Sequence, residues 1–206
     1  MMNFSPITIM INTIIFDLGD VFINLEKEKT KFAFRELGLF HFDDHFEKLN
    51  QDFEIGKISE NAFLCGIQQQ IPKANVAQIK AAWNAIIGEF PIYRLDFLKN
   101  IAQTHKLFLL SNTDAIHIEY FEKKAGAKFV TDFYNCFEKV YFSFEMQHRK
   151  PEKAAFEFVI NENNLDINGT LFVDDNEQNI AAAAKIGLKT WHLIVGSQDV
   201  VDLILE

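Results

Sequence analysis

Cysteine is scarce in this chain. Cys65 and Cys136 are the only two, and they stand far apart without the spacing of metal ligands. They read as reduced, partly buried thiols, which fits a reducing cytoplasm. Basic character is also short: 20 Lys and Arg stand against 29 Asp and Glu, a net charge of −9. No basic stripe runs along the chain, which argues against a nucleic-acid partner. No apolar run approaches the ~20 residues of a membrane span. The opening MMNFSPITIMIN has no basic start and no small-residue cleavage site, so a secretory signal is not expected. Linkers rich in Pro, Gly or Ser are missing, as are repeats and low-complexity tracts. A chain of 206 residues is then expected to form one domain, or one core domain with a modest insertion.

Apolar residues are plentiful. They make up 49% of the chain, with 22 Phe, enough for a sizeable core. Three short runs end alike: TIIFD (13–17), KLFLLSN (106–112) and TLFVDD (170–175). Each is apolar at nearly every position and then turns polar. Continuous apolarity over strand length marks strands buried on both faces, hence a parallel sheet covered by helices. KVYFS (139–143) and KTWHLIV (189–195) fit the same layer. Helical patterns separate the runs. DAIHIEYFEKKAG (114–126) ends at Gly126, PEKAAFEFVINEN (151–163) opens on Pro151, and EQNIAAAAKIGL (177–188) closes near Gly187. The expected fold is α/β, a Rossmann-like parallel sheet flanked by helices.

Residues 26–90 lack any such strand. EKEKTKFAFRELG, HFEKLNQDFEIGKIS, ENAFLCGIQQQ and NVAQIKAAWNAII all read helical. The expected organisation is a core of residues 1–25 and 91–206, with a small helical cap of residues 26–90 inserted after the first strand. Within the cap, DFEIGKIS is a polar break carrying Phe53, Glu54 and Lys57, and loops over a crevice often set specificity.

In open α/β sheets, ligands bind beyond the carboxyl ends of the strands. Asp17, Ser111–Asn112 and Asp174–Asp175 occupy such ends and are expected to converge. Three carboxylates in one crevice repel, and a hard cation such as Mg²⁺ relieves the conflict while keeping open positions. An Asp beside it is able to attack phosphorus. Ser111 and Asn112 offer donors to phosphate oxygens, and Lys150 offers positive charge to the transition state. Asn179 lies one helical turn after Asp175, where it would brace the metal carboxylates. Asp174–Asp175 also suit a helix N-cap. Among the six histidines, only His148 lies next to these motifs.

FDLGDVFINL, LLSNT, HRKPEKAAF and FVDDNEQNI together resemble, in order and spacing, the four motifs of the haloacid dehalogenase superfamily. The likeness spans nearly the whole chain. FEIGKISENAF, WNAIIGEFP and LLSNTDAIHIEYF are similar to the bacterial subgroup that includes α-glucose-1-phosphate phosphatase. The resemblance implies Asp17 as nucleophile and metal ligand, and the Gly19 carbonyl as a second ligand. It implies Ser111 and Asn112 as holders of the phosphoryl group, Lys150 as charge balance, and Asp174 and Asp175 as Mg²⁺ ligands. The chain departs from the general pattern at Gly19, where phosphatases of the superfamily carry a second Asp as acid and base. Asp20, one residue on, is a candidate substitute. A leaving group of low pKa needs less help from an acid.

Three functions follow. The first is a Mg²⁺-dependent phosphatase acting on a small phosphorylated metabolite, a sugar phosphate by preference, through an aspartyl-phosphate on Asp17. The second is a phosphometabolite-binding or regulatory protein with weak turnover, suggested by Gly19. The third is a 2-haloacid dehalogenase, which the two acids at 174–175 disfavour. The expected partner is the small substrate alone, with no nucleic acid and no membrane, and the chain is expected to be cytoplasmic, a monomer or a homodimer.

Overall fold

The computed structural model describes residues 10–205. The expectation about the N-terminal leader therefore lies largely outside the described residues. The chain opens with strand β1 (Thr13–Phe16) and then passes through four helices, α1 (Lys27–Glu36), α2 (Asp44–Glu54), α3 (Glu60–Gln70) and α4 (Val76–Asn84). Helix α5 (Ile92–Ile101) leads to β2 (Lys106–Ser111), α6 (Ala115–Ala125), α7 (Ala127–Tyr134) and β3 (Lys139–Phe142). A single turn, α8 (Ser143–Met146), precedes α9 (Lys153–Asn163), β4 (Thr170–Asp174), α10 (Glu177–Lys185) and β5 (Lys189–His192).

The five strands form one parallel sheet in the order β3-β2-β1-β4-β5. Alternation along each strand explains the unbroken apolar runs. Ile14, Phe16, Leu107, Leu109, Leu171 and Val173 enter the core on one face. Ile15, Phe108, Leu110 and Phe172 enter the core on the other. Both faces are dry, so neither residue of an alternating pair has reason to be polar. The register Phe16↔Leu109 and Phe16↔Val173 brings the ends of β1, β2 and β4 level. That level edge is where Asp17, Ser111 and Asp174 emerge.

The four helices α1–α4 build a separate core around Phe34, Phe46, Phe63, Ile67 and Trp83, joined by Ile116 of α6. Phe63 stacks on Phe53 with centroids 4.4 Å apart and meets Trp83 edge-on at 5.0 Å. The chain enters and leaves this cap through a two-stranded ribbon. Asn24 N–H donates to Glu89 O (3.0 Å), Gly88 N–H to Asn24 O (2.9 Å) and Glu26 N–H to Ile86 O (2.7 Å). Residue 56, in the turn after α2, has φ +66°, and a Cβ there would collide with the Phe144 carbonyl of α8, so Gly alone fits where cap meets core.

Three local expectations need correction, and one further helix joins the pattern. Helix α9 begins at Lys153, not at Pro151, because Asn112 clamps the Lys150 backbone into the preceding turn. The last strand stops at His192, short of residue 195: β4 ends at Asp174, whose carbonyl takes the Leu193 N–H, and nothing further remains to pair with. The cap of α10 is Asn176, whose side chain accepts from Gln178 and Asn179 N–H, rather than Asp174 or Asp175. Helix α7 was not foreseen in the sequence; Gly126, at φ +84°, turns the chain between two helices in a single residue. Phe63→Ala is expected to destabilise the protein by roughly 3–5 kcal/mol through the cavity it opens in the cap. Urea unfolding measures this, and a loss below about 1 kcal/mol would deny the cap a packed core of its own.

Candidate active site

Asp17 follows β1 directly and is still tied to the sheet, its N–H donating to Val173 O at 2.9 Å. Asp174 is the last residue of β4 and is fully buried. Carboxylate oxygens of Asp17, Asp174 and Asp175 all lie within 4.8 Å of one another. Lys150 sits between two of them. Its Nζ donates to Asp17 Oδ1 and to Asp174 Oδ2, each at 2.7 Å, and the side chain is 1% exposed.

The electrostatics follow from this burial. Burial pushes the Asp17 carboxyl up, Lys150 pulls it back, and Asp174 and Asp175 push it up again, to about 7. Burial pushes Asp175 up as well, reinforced by Asp174 and Asp20. Burial alone would pull the Lys150 ammonium down, but Asp17 and Asp174 more than offset it and hold the amine above its ordinary range. One ammonium against three carboxylates leaves a net negative site. Hard oxygen donors this close, short of positive charge, fit a divalent cation such as Mg²⁺.

Neighbouring groups hold the cluster in shape. Asp174 Oδ1 accepts the Asn176 N–H at 2.7 Å, and Asn179 Nδ2 reaches both Asp174 oxygens at 3.1 and 3.0 Å. Asn179 thus braces Asp174, where the spacing placed it. Asn112 differs from expectation. Its amide is engaged at both ends by the Lys150 backbone, donating to the carbonyl at 2.8 Å and accepting the N–H at 2.9 Å. The Asn112 side chain positions Lys150 with one amide N–H and its oxygen, while the residue also lines the cavity with Ser111. Ser111, by contrast, carries no hydrogen bond on its hydroxyl among the described residues and lines the same cavity.

That cavity has a volume of about 330 Å³ and lies between sheet edge and cap. Asp17, Gly19, Ser111, Lys150, Asp175 and Asn179 contribute to its floor. Asp20 and His148 do not line it. The Asp20 carboxylate accepts the Leu25 N–H and the Lys27 ammonium, both at 2.8 Å, and closes the turn instead of facing the cavity. Each oxygen thus holds one donor of the turn, and the carboxylate lies outside the cavity lining. His148 leans on Phe158, with ring centroids 5.9 Å apart. At Gly19, an added Cβ would lie 2.8 Å from Leu25 Cδ1. Leu25 fills the space in which a side chain at 19 would begin.

Most of the upper wall carries no local signal in the sequence. Arg149 faces Glu54 of α2, Nε to Oε2, at 2.8 Å. Of the three residues flagged in the polar break, Glu54 alone reaches the cavity; Phe53 is core and Lys57 pairs outward with Asp52. His117 of α6 is wedged between the Asp114 carboxylate (Nδ1 to Oδ2, 3.0 Å) and the Trp83 carbonyl (Nε2 to O, 3.1 Å). Nε2 lies within hydrogen-bonding range of a carbonyl and Nδ1 within ion-pair range of a carboxylate, an arrangement that favours the charged ring. Burial works against that charge, but Asp114 and the Trp83 carbonyl raise the pKa above its ordinary range. Only an i, i+3 spacing within α6 hinted at the Asp114–His117 pair; the Trp83 contact joins residues 34 apart.

Residues 11–187 match the haloacid dehalogenase-like hydrolase family. The chain is 30% identical over 196 residues to a D-ribitol-5-phosphate phosphatase of Bacteroides thetaiotaomicron, covering 88% of this chain and 91% of that protein. A crystal structure of a HAD family enzyme of Bacteroides thetaiotaomicron, in complex with magnesium and inorganic phosphate, is 33% identical and superposes with a TM-score of 0.80 over 91% of this chain and 96% of that one. An L-2-haloacid dehalogenase of Xanthobacter autotrophicus, 15% identical with a TM-score of 0.62, covers 93% of this chain and 80% of its own, and shares the fold.

Two outcomes follow from the site. Gly19→Ala is expected to cost about 1–3 kcal/mol by overpacking against Leu25, and the cost shrinks when Leu25 is already Ala. Equal costs in the two backgrounds, read by urea unfolding, would contradict the contact. The second concerns pH. Asp17 has a folded pKa raised from 3.8 to about 7, so its ionisation costs stability as pH rises across that window. A cation that offsets the charge restores it. Saturating Mg²⁺ should therefore raise the melting temperature more at pH 8 than at pH 5; an equal or reversed increment would contradict the carboxylate site.

Proposed function

The chain belongs to the haloacid dehalogenase-like hydrolases, and from that premise we propose that it is a Mg²⁺-dependent phosphatase acting on a small sugar or sugar-alcohol phosphate. The observation that carries this reading is the single cavity onto which Asp17, Lys150 and the free Ser111 hydroxyl open, above the buried Asp174. A phosphate dianion would not enter a site of three carboxylates and one ammonium unaided. Asp17, Asp174 and Asp175 would hold Mg²⁺, with the Gly19 carbonyl as a further ligand. When bound, Mg²⁺ supplies the positive charge that lets all three carboxylates ionise and admits the phosphate.

The chain's own residues do the remainder. An ionised Asp17 oxygen attacks phosphorus as the bond to the leaving oxygen breaks; that oxygen takes a proton from solvent water, since residue 19 carries no acid, and the phosphoryl group is left on the carboxylate. Ser111 donates to a phosphoryl oxygen. Lys150, fixed by Asn112, keeps one Asp17 oxygen in place and offsets the charge that spreads over the transferring group. Water then attacks phosphorus and releases inorganic phosphate, returning Asp17. The cap closes the cavity from above and limits bulk water. The partner is a small molecule rather than nucleic acid or membrane; among the described residues no helix is long and apolar enough to cross a bilayer. Free thiols at Cys65 and Cys136 support a cytoplasmic setting, and the chain acts as a monomer or a homodimer.

Gly19 and the Leu25 side chain against it favour one other reading, a phosphometabolite-binding protein with slow turnover. A screen of sugar and polyol phosphates with and without Mg²⁺, run beside Asp17→Asn, separates the two. The phosphatase reading predicts Mg²⁺-dependent phosphate release that falls at least ~10³-fold in Asp17→Asn while its melting curve stays cooperative. Release that persists in the variant removes Asp17 as nucleophile. Tight binding without release in the wild-type protein assigns the second function.

A further inference from the structure

The cavity has two unlike walls. One is apolar, built by Leu18, Ile23, Leu25, Ile86 and Ile87 from the loop after β1 and the hinge ribbon. The other is polar and spans both parts of the molecule: Asn50 and Glu54, one turn apart on α2, face Arg149 beside Lys150. The Glu54–Arg149 pair is incompletely satisfied. Nε and Oε2 approach to 2.8 Å, yet the N–H is not directed along that line. Both atoms are shielded from water, and neither has an aligned hydrogen bond. Burying an ion pair with unmet hydrogen-bonding capacity costs free energy unless a further partner arrives.

We propose that Glu54 and Arg149 form a hydroxyl-recognising pair that selects a phosphate ester with an uncharged, polyhydroxylated tail. The inference rests on the phosphatase reading and names what its substrate carries beyond the phosphate. Nε and Oε2 are closed off against each other, but Glu54 Oε1 and the Arg149 Nη groups carry no hydrogen bond among the described residues, and a carboxylate oxygen and a guanidinium edge on one cavity wall suit a pair of vicinal hydroxyls. The pair is neutral in sum. It therefore neither attracts nor tolerates a second charged group on the tail as well as it does hydroxyls. Burial raises the Glu54 carboxyl and Arg149 opposes it. Asn50 adds an amide one turn away on the same wall. Arg149 adjoins Lys150 in the chain, which places tail recognition directly beside the charge-bearing floor.

The test compares D-ribitol 5-phosphate with n-pentyl phosphate, which has the same chain length and leaving-group type but no tail hydroxyls. It uses the Mg²⁺-loaded wild-type protein, Glu54→Gln and Arg149→Lys, each checked for a cooperative melt. The ratio of kcat/KM between the two esters should fall at least ~10-fold in both variants, mainly through a higher KM for the ribitol ester. A pair that merely latched cap to core would lower both esters by the same factor, and that result overturns the proposal. So does an unchanged ratio in the variant that folds. If the wild-type protein hydrolyses neither ester, the phosphatase reading falls separately. Calorimetric titration of D-ribitol 5-phosphate into wild-type and Glu54→Gln protein then decides the pair, with equal affinities overturning it.

Discussion

A buried ammonium between two carboxylates sets the design of this protein. Lys150 has almost no contact with water, and its ammonium donates to two carboxylates that would otherwise repel each other. Removing the ammonium would leave Asp17 and Asp174 as uncompensated buried charge, a far larger penalty than losing an exposed pair. Much of the structure holds this arrangement. Parallel register levels the ends of β1, β2 and β4, Asn112 grips both sides of the Lys150 peptide, and Asn179 with the Asn176 N–H fixes Asp174. The site is still left one or more positive charges short. That deficit makes it a place for a divalent cation and, with the cation, for a phosphate.

The cap answers a different need. Its core is separate from the two cores of the sheet, and a short ribbon of three backbone hydrogen bonds joins it to them. Besides the apolar seat of Ile116 in the cap core, cap and sheet domain meet through polar pairs: Glu54 with Arg149, Trp83 with Asp114 and His117, and Lys27 with Asp20. Trp83 Nε1 donates to Asp114 at 3.0 Å while its ring stacks on His117 at 4.9 Å. Such an interface closes a cavity without fusing the two parts, which suits a site that must admit one molecule and release two. The acidic floor of the cavity belongs to the sheet part alone, whereas its polar upper wall is shared across the gap.

The sheet and the acidic floor were legible in the sequence because each depends on local pattern. TIIFD, KLFLLSN and TLFVDD declare both burial and an end point, and parallel topology then dictates that Asp17, Ser111 and Asp174 meet. Lys150 was legible only in company with them. What stayed hidden required contacts across the chain. Nothing local marks Arg149 as the partner of Glu54, 95 positions earlier, or Trp83 as the roof over His117. Asn112 was read as a phosphate donor because its side chain offers one; the turn at 149–152, which takes one N–H and the oxygen of that amide, is visible only in three dimensions. Pro151 misled in the same way. It suits a helix start, but the backbone of residue 150 was already claimed.

The stereochemistry at phosphorus tests the central claim most directly. A phosphorothioate ester whose transferred thiophosphoryl group is made chiral with two oxygen isotopes, hydrolysed in water carrying the third, reports how many displacements occur, since each in-line attack inverts the centre. Transfer to Asp17 followed by attack of water gives two inversions and net retention, which this account predicts. Net inversion would mean that water attacks the substrate directly, with the first aspartate a bystander to bond formation, and would contradict it.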